Sequence, residues 1–233
     1  MNTSRGIIFD LDGTLLDSAE DLRGALNRML AETGRLPIPA SEIAFMVGDG
    51  ALKLVERGLA AGGAPLPAPE VIADLTRQML AYYDQIDGAT TRPYPGVPET
   101  LAALAAAGYA LAVCTNKPQA PAEALLAKTG LSRWLPIVIG GDTVIDHQGN
   151  PLRKPDGRHV LAALKALGVA PEAAVMVGDS PNDMDAGRNA GLGQVIAVGY
   201  GYCGATRVAP EDMGADHVVQ TFAEILPLLV APA

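Results

Sequence analysis

The residues Gly6-Ile7-Ile8-Phe9 form an unbroken apolar run that stops at Asp10, and the chain repeats this device. Tyr109-Ala110-Leu111-Ala112-Val113-Cys114 ends at Thr115-Asn116, and Ala173-Ala174-Val175-Met176-Val177 ends at Gly178-Asp179. Ile137-Val138-Ile139, Gln194-Val195-Ile196-Ala197-Val198 and a short His217-Val218-Val219 read as further strands. An apolar run without polar alternation is a strand covered on both faces, the mark of a parallel sheet. Helix-length patterns lie between the runs, at 98–107, 120–129, 156–167 and 182–190. Each stops at a glycine: Gly108, Gly130, Gly168 or Gly191. Strand and helix in alternation predict an α/β fold, a parallel sheet with helices on both sides.

One region departs from this rhythm. Residues 18–85 contain no strand pattern, only helical stretches at 21–32, 41–60 and 69–83, with Gly34, Pro37, Pro39, Gly62, Gly63, Pro65 and Pro67 between them. The expectation is a helical insertion after the first strand that returns to the core near Arg92. Residues 1–17 and 92–233 then make the core, and 18–91 the helical unit.

Composition narrows the function. With 49% hydrophobic and 18% charged residues, the chain can bury a sizeable core and does not read as disordered. A net charge of -9 argues against nucleic acid, whose phosphates demand clustered Lys and Arg. It leaves a small phosphorylated molecule open, because a bound divalent cation reverses the local field. Cys114 and Cys203 make neither a disulfide framework nor a zinc site, and His147, His159 and His217 match no metal spacing. Residues 1–10 read as neither a signal peptide nor a span, and no stretch approaches 18 apolar residues. Cytoplasmic residence without a membrane partner is the expectation.

Ligands of open parallel sheets bind beyond the carboxyl ends of the strands. The residues that close the apolar runs should therefore gather at one place. In extended chain, i and i+2 face the same side, so Asp10 and Asp12 would share a cavity. Two carboxylates so close repel unless a proton or cation intervenes, and magnesium suits oxygen ligands. The same segment also reads as an ordinary Asp-Gly turn. Asp179 and Asp183, one helical turn apart, could approach the same ion; they also suit a helix start, with Ser180 or Asp179 as cap. Thr115 could hold a phosphoryl oxygen, or simply end a strand. Lys154 precedes Pro155, which disfavours helix, and its ammonium could neutralise a phosphate at the site mouth or be a solvated surface lysine.

Taken together, Asp10-Leu11-Asp12-Gly13-Thr14, Thr115-Asn116, Lys154-Pro155 and Gly178-Asp179-Ser180-Pro181-Asn182-Asp183 resemble the four motifs of the haloacid dehalogenase superfamily, in its phosphatase branch. They stand in the family's order and span nearly the whole chain. The resemblance implies a Rossmann-like doubly wound core with an inserted α-helical cap, matching the helical region. It implies a magnesium-dependent phosphatase in which Asp10 is the nucleophile and Asp12 the general acid and base. Thr115, Asn116 and Lys154 would hold the phosphate. Asp10, Asp12 (through its backbone carbonyl), Asp179 and Asp183 would serve the metal. Within the superfamily the chain looks most like bacterial phosphoglycolate phosphatases, through Val47-Gly48-Asp49-Gly50 followed by Lys53 and Arg57, and through Thr115-Asn116-Lys117-Pro118. That likeness implies 2-phosphoglycolate as substrate, with Lys53 or Arg57 pairing with its carboxylate; a solvated helix face accounts for these two cations equally well. Two other outcomes share the motifs, a phosphomutase similar to β-phosphoglucomutase and a phosphoaspartate signalling domain.

Overall fold

A computed structural model of the chain describes residues 5–63, 65–203 and 207–230. Residues 1–4 of the amino-terminal segment read above lie outside these, as do 204–206 within the patternless stretch 200–214. In chain order the elements open with β1 (Gly6–Phe9) and β2 (Leu16–Asp17). Four helices follow: α1 (Ala19–Glu32), α2 (Ala40–Ile43), α3 (Ala51–Ala60) and α4 (Pro69–Ile86). Then come β3 (Arg92–Pro93), α5 (Val97–Ala106), β4 (Ala110–Cys114), α6 (Gln119–Lys128) and β5 (Ile137–Ile139). The chain continues through α7 (Gly157–Leu167), β6 (Ala174–Gly178), α8 (Pro181–Asn189), β7 (Gln194–Val198), β8 (His217–Val219) and α9 (Ile225–Leu229).

The main sheet has the order β5-β4-β1-β6-β7-β8, and every neighbouring pair is parallel. Period-2 geometry sorts its apolar residues onto two faces. Ile7, Phe9, Leu111, Val113, Val175 and Val177 face one way, with Val97, Leu101, Leu125 and Ile225 of the helices on that side. Ile8, Ala112, Cys114 and Met176 face the other, against Val160, Ala163, Leu164 and Met184 of α7 and α8. Both faces are therefore covered, which is why the strands read as unbroken apolar runs. The expected sheet, with helices on both sides, is the observed one.

β1 is the hinge of this topology. The chain leaves it toward β4 and β5 on one side and toward β6, β7 and β8 on the other. The strand order reverses there, and the crevice at the carboxyl end of β1 is where ligands of such sheets bind.

Helices α1 to α4 are strung between β2 and β3, which pair antiparallel through Leu16↔Pro93 and Asp17↔Arg92. These two short strands carry no legible sequence pattern, since two residues show no periodicity. Asp21 locks the crossing: its carboxylate accepts hydrogen bonds from the backbone N–H of Thr90 and Thr91 and from both hydroxyls. Leu26, Met29 and Leu30 of α1, Val55 of α3 and Met79 of α4 are buried in the same apolar cluster that lines one sheet face. Each contributes roughly 1.5–3 kcal/mol by leaving water.

One expected helix is corrected. Residues 41–60 do not form a single helix; α2 ends at Ile43 and α3 begins at Ala51. Gly48 (φ 119°) and Gly50 (φ 88°) lie in the left-handed region, which a right-handed helix cannot include. The interruption is the Val47–Gly50 loop, and it points at the core.

Candidate active site

Asp10 directly follows β1, and its N–H donates to the Val177 carbonyl at 2.9 Å, which fixes it at the crevice. The chain then winds tightly: the Leu11 carbonyl accepts from the N–H groups of Leu15 and Leu16 at 3.0 and 2.9 Å. Gly13 (φ 90°) makes the winding possible, since a Cβ there would sit 2.3 Å from Asp179 Oδ2. Asp179 follows β6, and Asp183 stands in the first turn of α8. The helix-cap reading of this segment is correct as well: Ser180 and Asp183 form a capping box, with Asp183 Oδ2 accepting from Ser180 N–H and Oγ–H.

These elements bring Asp10, Asp179 and Asp183 together, with one oxygen of each lying within 4.8 Å of the others. All three are buried. Lys154 enters from the loop before α7, and its Nζ donates to Asp10 Oδ1 and Asp183 Oδ1, both at 2.6 Å. It is a buried residue and not a surface lysine. Asn116 sets its backbone: Asn116 Oδ1 accepts from Lys154 N–H at 2.9 Å, and Nδ2 donates to the Lys154 carbonyl at 3.0 Å.

Three carboxylates against one ammonium leave excess buried negative charge. Burial pushes the Asp10 carboxyl up to about 7, with Lys154 opposing the rise and Asp183 adding to it. Burial also lifts Asp179 well above the carboxylate range, helped by Asp10 and Asp183. Burial pulls Lys154 down, but Asp10 and Asp183 outweigh it and hold the ammonium charged. An all-oxygen donor set whose charge is uncompensated suits a hard divalent cation, which would return these acids to their ionised form.

Asp12 faces a second cation. Lys117 Nζ lies 3.2 and 3.1 Å from the two Asp12 oxygens, and Ser18 Oγ donates to the same carboxylate. Tyr83 of α4 covers this pair, its ring centroid 4.4 Å from the ammonium. Thr115 is buried beside them and accepts from Lys117 N–H at 3.2 Å. Asp10, Asp12, Thr115 and Lys117 line one side of a cavity of about 40 Å³; its other side comes from the inserted region, with Leu22, Leu54, Met79 and Tyr83 of the helices and Val47 of the loop.

The Val47–Gly50 loop docks on the core. The Gly48 carbonyl accepts from Asn116 Nδ2 at 2.9 Å, and Asp49 Oδ1 accepts from Asn182 Nδ2 at 2.5 Å. Arg57 braces the loop by donating to Asp49 and to the Met46 carbonyl. Lys53 pairs with Glu56 and is 55% exposed. Neither Lys53 nor Arg57 lines the cavity.

Several residues of the site, Ser18 and Tyr83 among them, escaped the reading of the sequence by its residues. Lys117 is marked there only as part of a family-like Thr-Asn-Lys-Pro. Tyr200 and Tyr202 follow β7, inside the stretch without pattern. Tyr202 N–H donates to Asp179 Oδ2 at 2.7 Å, its hydroxyl donates to Asp17 and accepts from the N–H of Ser18 at 2.7 Å, and Tyr200 OH donates to the Thr14 carbonyl at 2.8 Å. Two polar-tipped aromatics two residues apart, just past a strand end, were the available signal.

A family model described as haloacid dehalogenase-like hydrolase matches residues 5–191. The chain belongs to the haloacid dehalogenase-like hydrolases. It is 45% identical to a phosphoglycolate phosphatase of Caulobacter vibrioides over 219 residues, 94% of this chain and 88% of that one. A phosphoglycolate phosphatase of Agrobacterium fabrum is 40% identical over 95% of this chain and 91% of its own. Among solved structures, a predicted phosphoglycolate phosphatase from Haemophilus somnus 129PT superposes with a TM-score of 0.84 at 30% identity, covering 98% of this chain and 99% of that one. Within the family, then, the chain is a phosphoric monoester hydrolase. No helix among the described residues is long and apolar enough to cross a membrane.

Proposed function

We propose that the chain hydrolyses 2-phosphoglycolate through an aspartyl-phosphate on Asp10, with magnesium as cofactor and residues 18–91 as a cap over the core of 1–17 and 92–233. The observation that carries this reading is the buried cluster at the end of β1, where Lys154 Nζ stands 2.6 Å from both Asp10 and Asp183. The likeness to two phosphoglycolate phosphatases over most of the chain supports the substrate. The small cavity shared by core and helices supports a short leaving group.

An Asp10 oxygen forms the bond to phosphorus while the bond from phosphorus to the leaving oxygen breaks. Asp12 gives the leaving alkoxide its proton. It then takes a proton from the water that attacks the aspartyl-phosphate, and Asp10 is restored as carboxylate. Lys154 and Thr115 hold the transferring oxygens as negative charge develops on them. Asn116 holds the Lys154 backbone in place, so its part in binding is indirect. Lys117 and Ser18 orient Asp12. Asp10, Asp179 and Asp183, with the Asp12 backbone carbonyl, would hold magnesium, which when bound supplies positive charge against the repulsion between carboxylate and phosphate.

A screen of phosphate esters with and without EDTA tests the reading. 2-Phosphoglycolate should give the highest kcat/KM, activity should vanish with chelation, and Asp10→Asn should lower kcat at least about 10⁴-fold. Turnover by Asp10→Asn at wild-type rates would remove the nucleophile. A single phosphorylation without multiple-turnover release would favour the signalling reading, and phosphate passed back to a sugar would favour the mutase.

A further inference from the structure

Three buried side-chain polar atoms have no hydrogen-bond partner among the described residues: Tyr83 Oη, Arg153 Nε and His159 Nδ1. Of these residues Tyr83 lines the cavity. It projects from α4 one turn after Met79, and only 3% of it is exposed. Buried phenols ordinarily find a partner, because an unpaired hydroxyl keeps the full desolvation cost.

The surroundings show what the hydroxyl can receive. The Lys117 ammonium lies against the ring, with Asp12 beyond it. An ammonium has only N–H groups to offer, so whatever approach Lys117 makes to the phenol oxygen leaves the O–H hydrogen of Tyr83 without an acceptor and free to donate. Burial raises the pKa of Tyr83, so that hydrogen is retained at neutral pH. The rest of this wall is hydrocarbon, from Leu22, Leu54 and Met79 of the helices and Val47 of the loop. Lys53 and Arg57 contribute nothing to this wall. A leaving group attached to phosphorus at Asp10 would thus meet apolar surface, one ammonium and one unpaired phenol.

We propose that the Tyr83 hydroxyl is a specificity-determining donor, giving a hydrogen bond to a carboxylate oxygen on the leaving group of a short acidic phosphate ester. This rests on the substrate reading above. It assigns the recognition of the acid to Tyr83 and not to the cap cations.

The test compares 2-phosphoglycolate with ethyl phosphate, which has the same chain length and no carboxylate, in the wild type and in Tyr83→Phe with magnesium. Wild type should prefer phosphoglycolate. Tyr83→Phe should lose roughly 10- to 100-fold in kcat/KM on phosphoglycolate, the worth of one hydrogen bond to a charged group. On ethyl phosphate it should change less than about threefold. Its thermal midpoint should equal or exceed that of wild type, since an unpaired buried hydroxyl has been removed. An unchanged preference overturns the inference. So does a lowered midpoint with both esters falling together, which would mean that the hydroxyl holds the fold. A wild type without preference overturns the substrate reading, and the inference with it; that result is read from the wild type alone, so the two failures are distinct.

Discussion

Lys117 and Asp12 form a largely buried ion pair in which the ammonium stands nearly equidistant, at 3.2 and 3.1 Å, from the two carboxylate oxygens. One residue closes the loop after β1 and the other lies just past β4, so the pair ties two strand ends across the crevice. It accompanies the Lys154 pair with Asp10 and sets Asp12, the proposed general acid and base, beside Asp10, the proposed nucleophile.

Removing Lys117 should strand the Asp12 charge. Lys117→Met is expected to destabilise the protein by about 2 kcal/mol, below the range for a fully buried pair because Asp12 keeps some contact with solvent. Asp12→Asn combined with Lys117→Met should recover a good part of that loss, since no unpaired charge remains. Urea denaturation midpoints of the wild type, both single variants and the double variant measure it. Simple additivity would mean that the two side chains are not coupled.

Metal should stabilise as well as activate. A cation that binds only the folded chain adds about 2.7 kcal/mol at a hundred times its dissociation constant. Magnesium is expected to raise the thermal midpoint of wild type in a concentration-dependent way, and EDTA to reverse the rise. The effect should shrink sharply in Asp179→Asn. An equal rise in that variant would place the ion elsewhere.

His159 should make the fold sensitive to mild acid. It is buried, its Nε2 donates to the Gly140 carbonyl at 3.1 Å, and its Nδ1 has no partner among the described residues. Burial, and after it Lys154, pull its pKa from 6.5 to about 4. Between these values the unfolded chain holds the extra proton, so stability rises with pH there. The contribution is complete above pH 6.5 and is lost as pH falls toward 4, with a slope of at most about 1.4 kcal/mol per pH unit. His159→Gln keeps a donor for Gly140 and cannot titrate. Its stability should therefore fall less steeply than that of wild type between pH 6.5 and 5 in matched urea melts. Parallel curves would mean that His159 does not titrate in this window.

The two cations of α3, Lys53 and Arg57, should prove unequal. Lys53→Ala, on an exposed face, is expected to change stability by less than about 0.5 kcal/mol and to leave the preference for phosphoglycolate over ethyl phosphate intact. Arg57→Ala should loosen the Val47–Gly50 loop, costing about 1 kcal/mol, and should lower kcat on both esters together. A selective loss on phosphoglycolate in either variant would return the carboxylate to that residue.

The reading of the sequence reached the sheet because burial on both faces imposes a continuous apolar strand, and that constraint is written residue by residue in Gly6-Ile7-Ile8-Phe9 and its counterparts. It reached Asp10, Asp179 and Asp183 because strand ends at a topological switch point in space, and polar residues there are conspicuous after apolar runs. The broken helix at 41–60 was missed, since apolar spacing continues across Gly48 and Gly50 while the backbone does not.

Partnership was decided only by the tertiary structure. Nothing local in the sequence says that Lys117 meets Asp12, that Tyr202 fixes Asp179, or that Arg57 spends its charge on Asp49. A side chain's local pattern states its chemistry, but its partner is chosen by how the β1, β4, β6 and β7 ends and the inserted helices pack. Tyr83 shows the difference: in the sequence it is only the last residue of the helical stretch 69–83, and in the fold it is a buried hydroxyl beside a cavity.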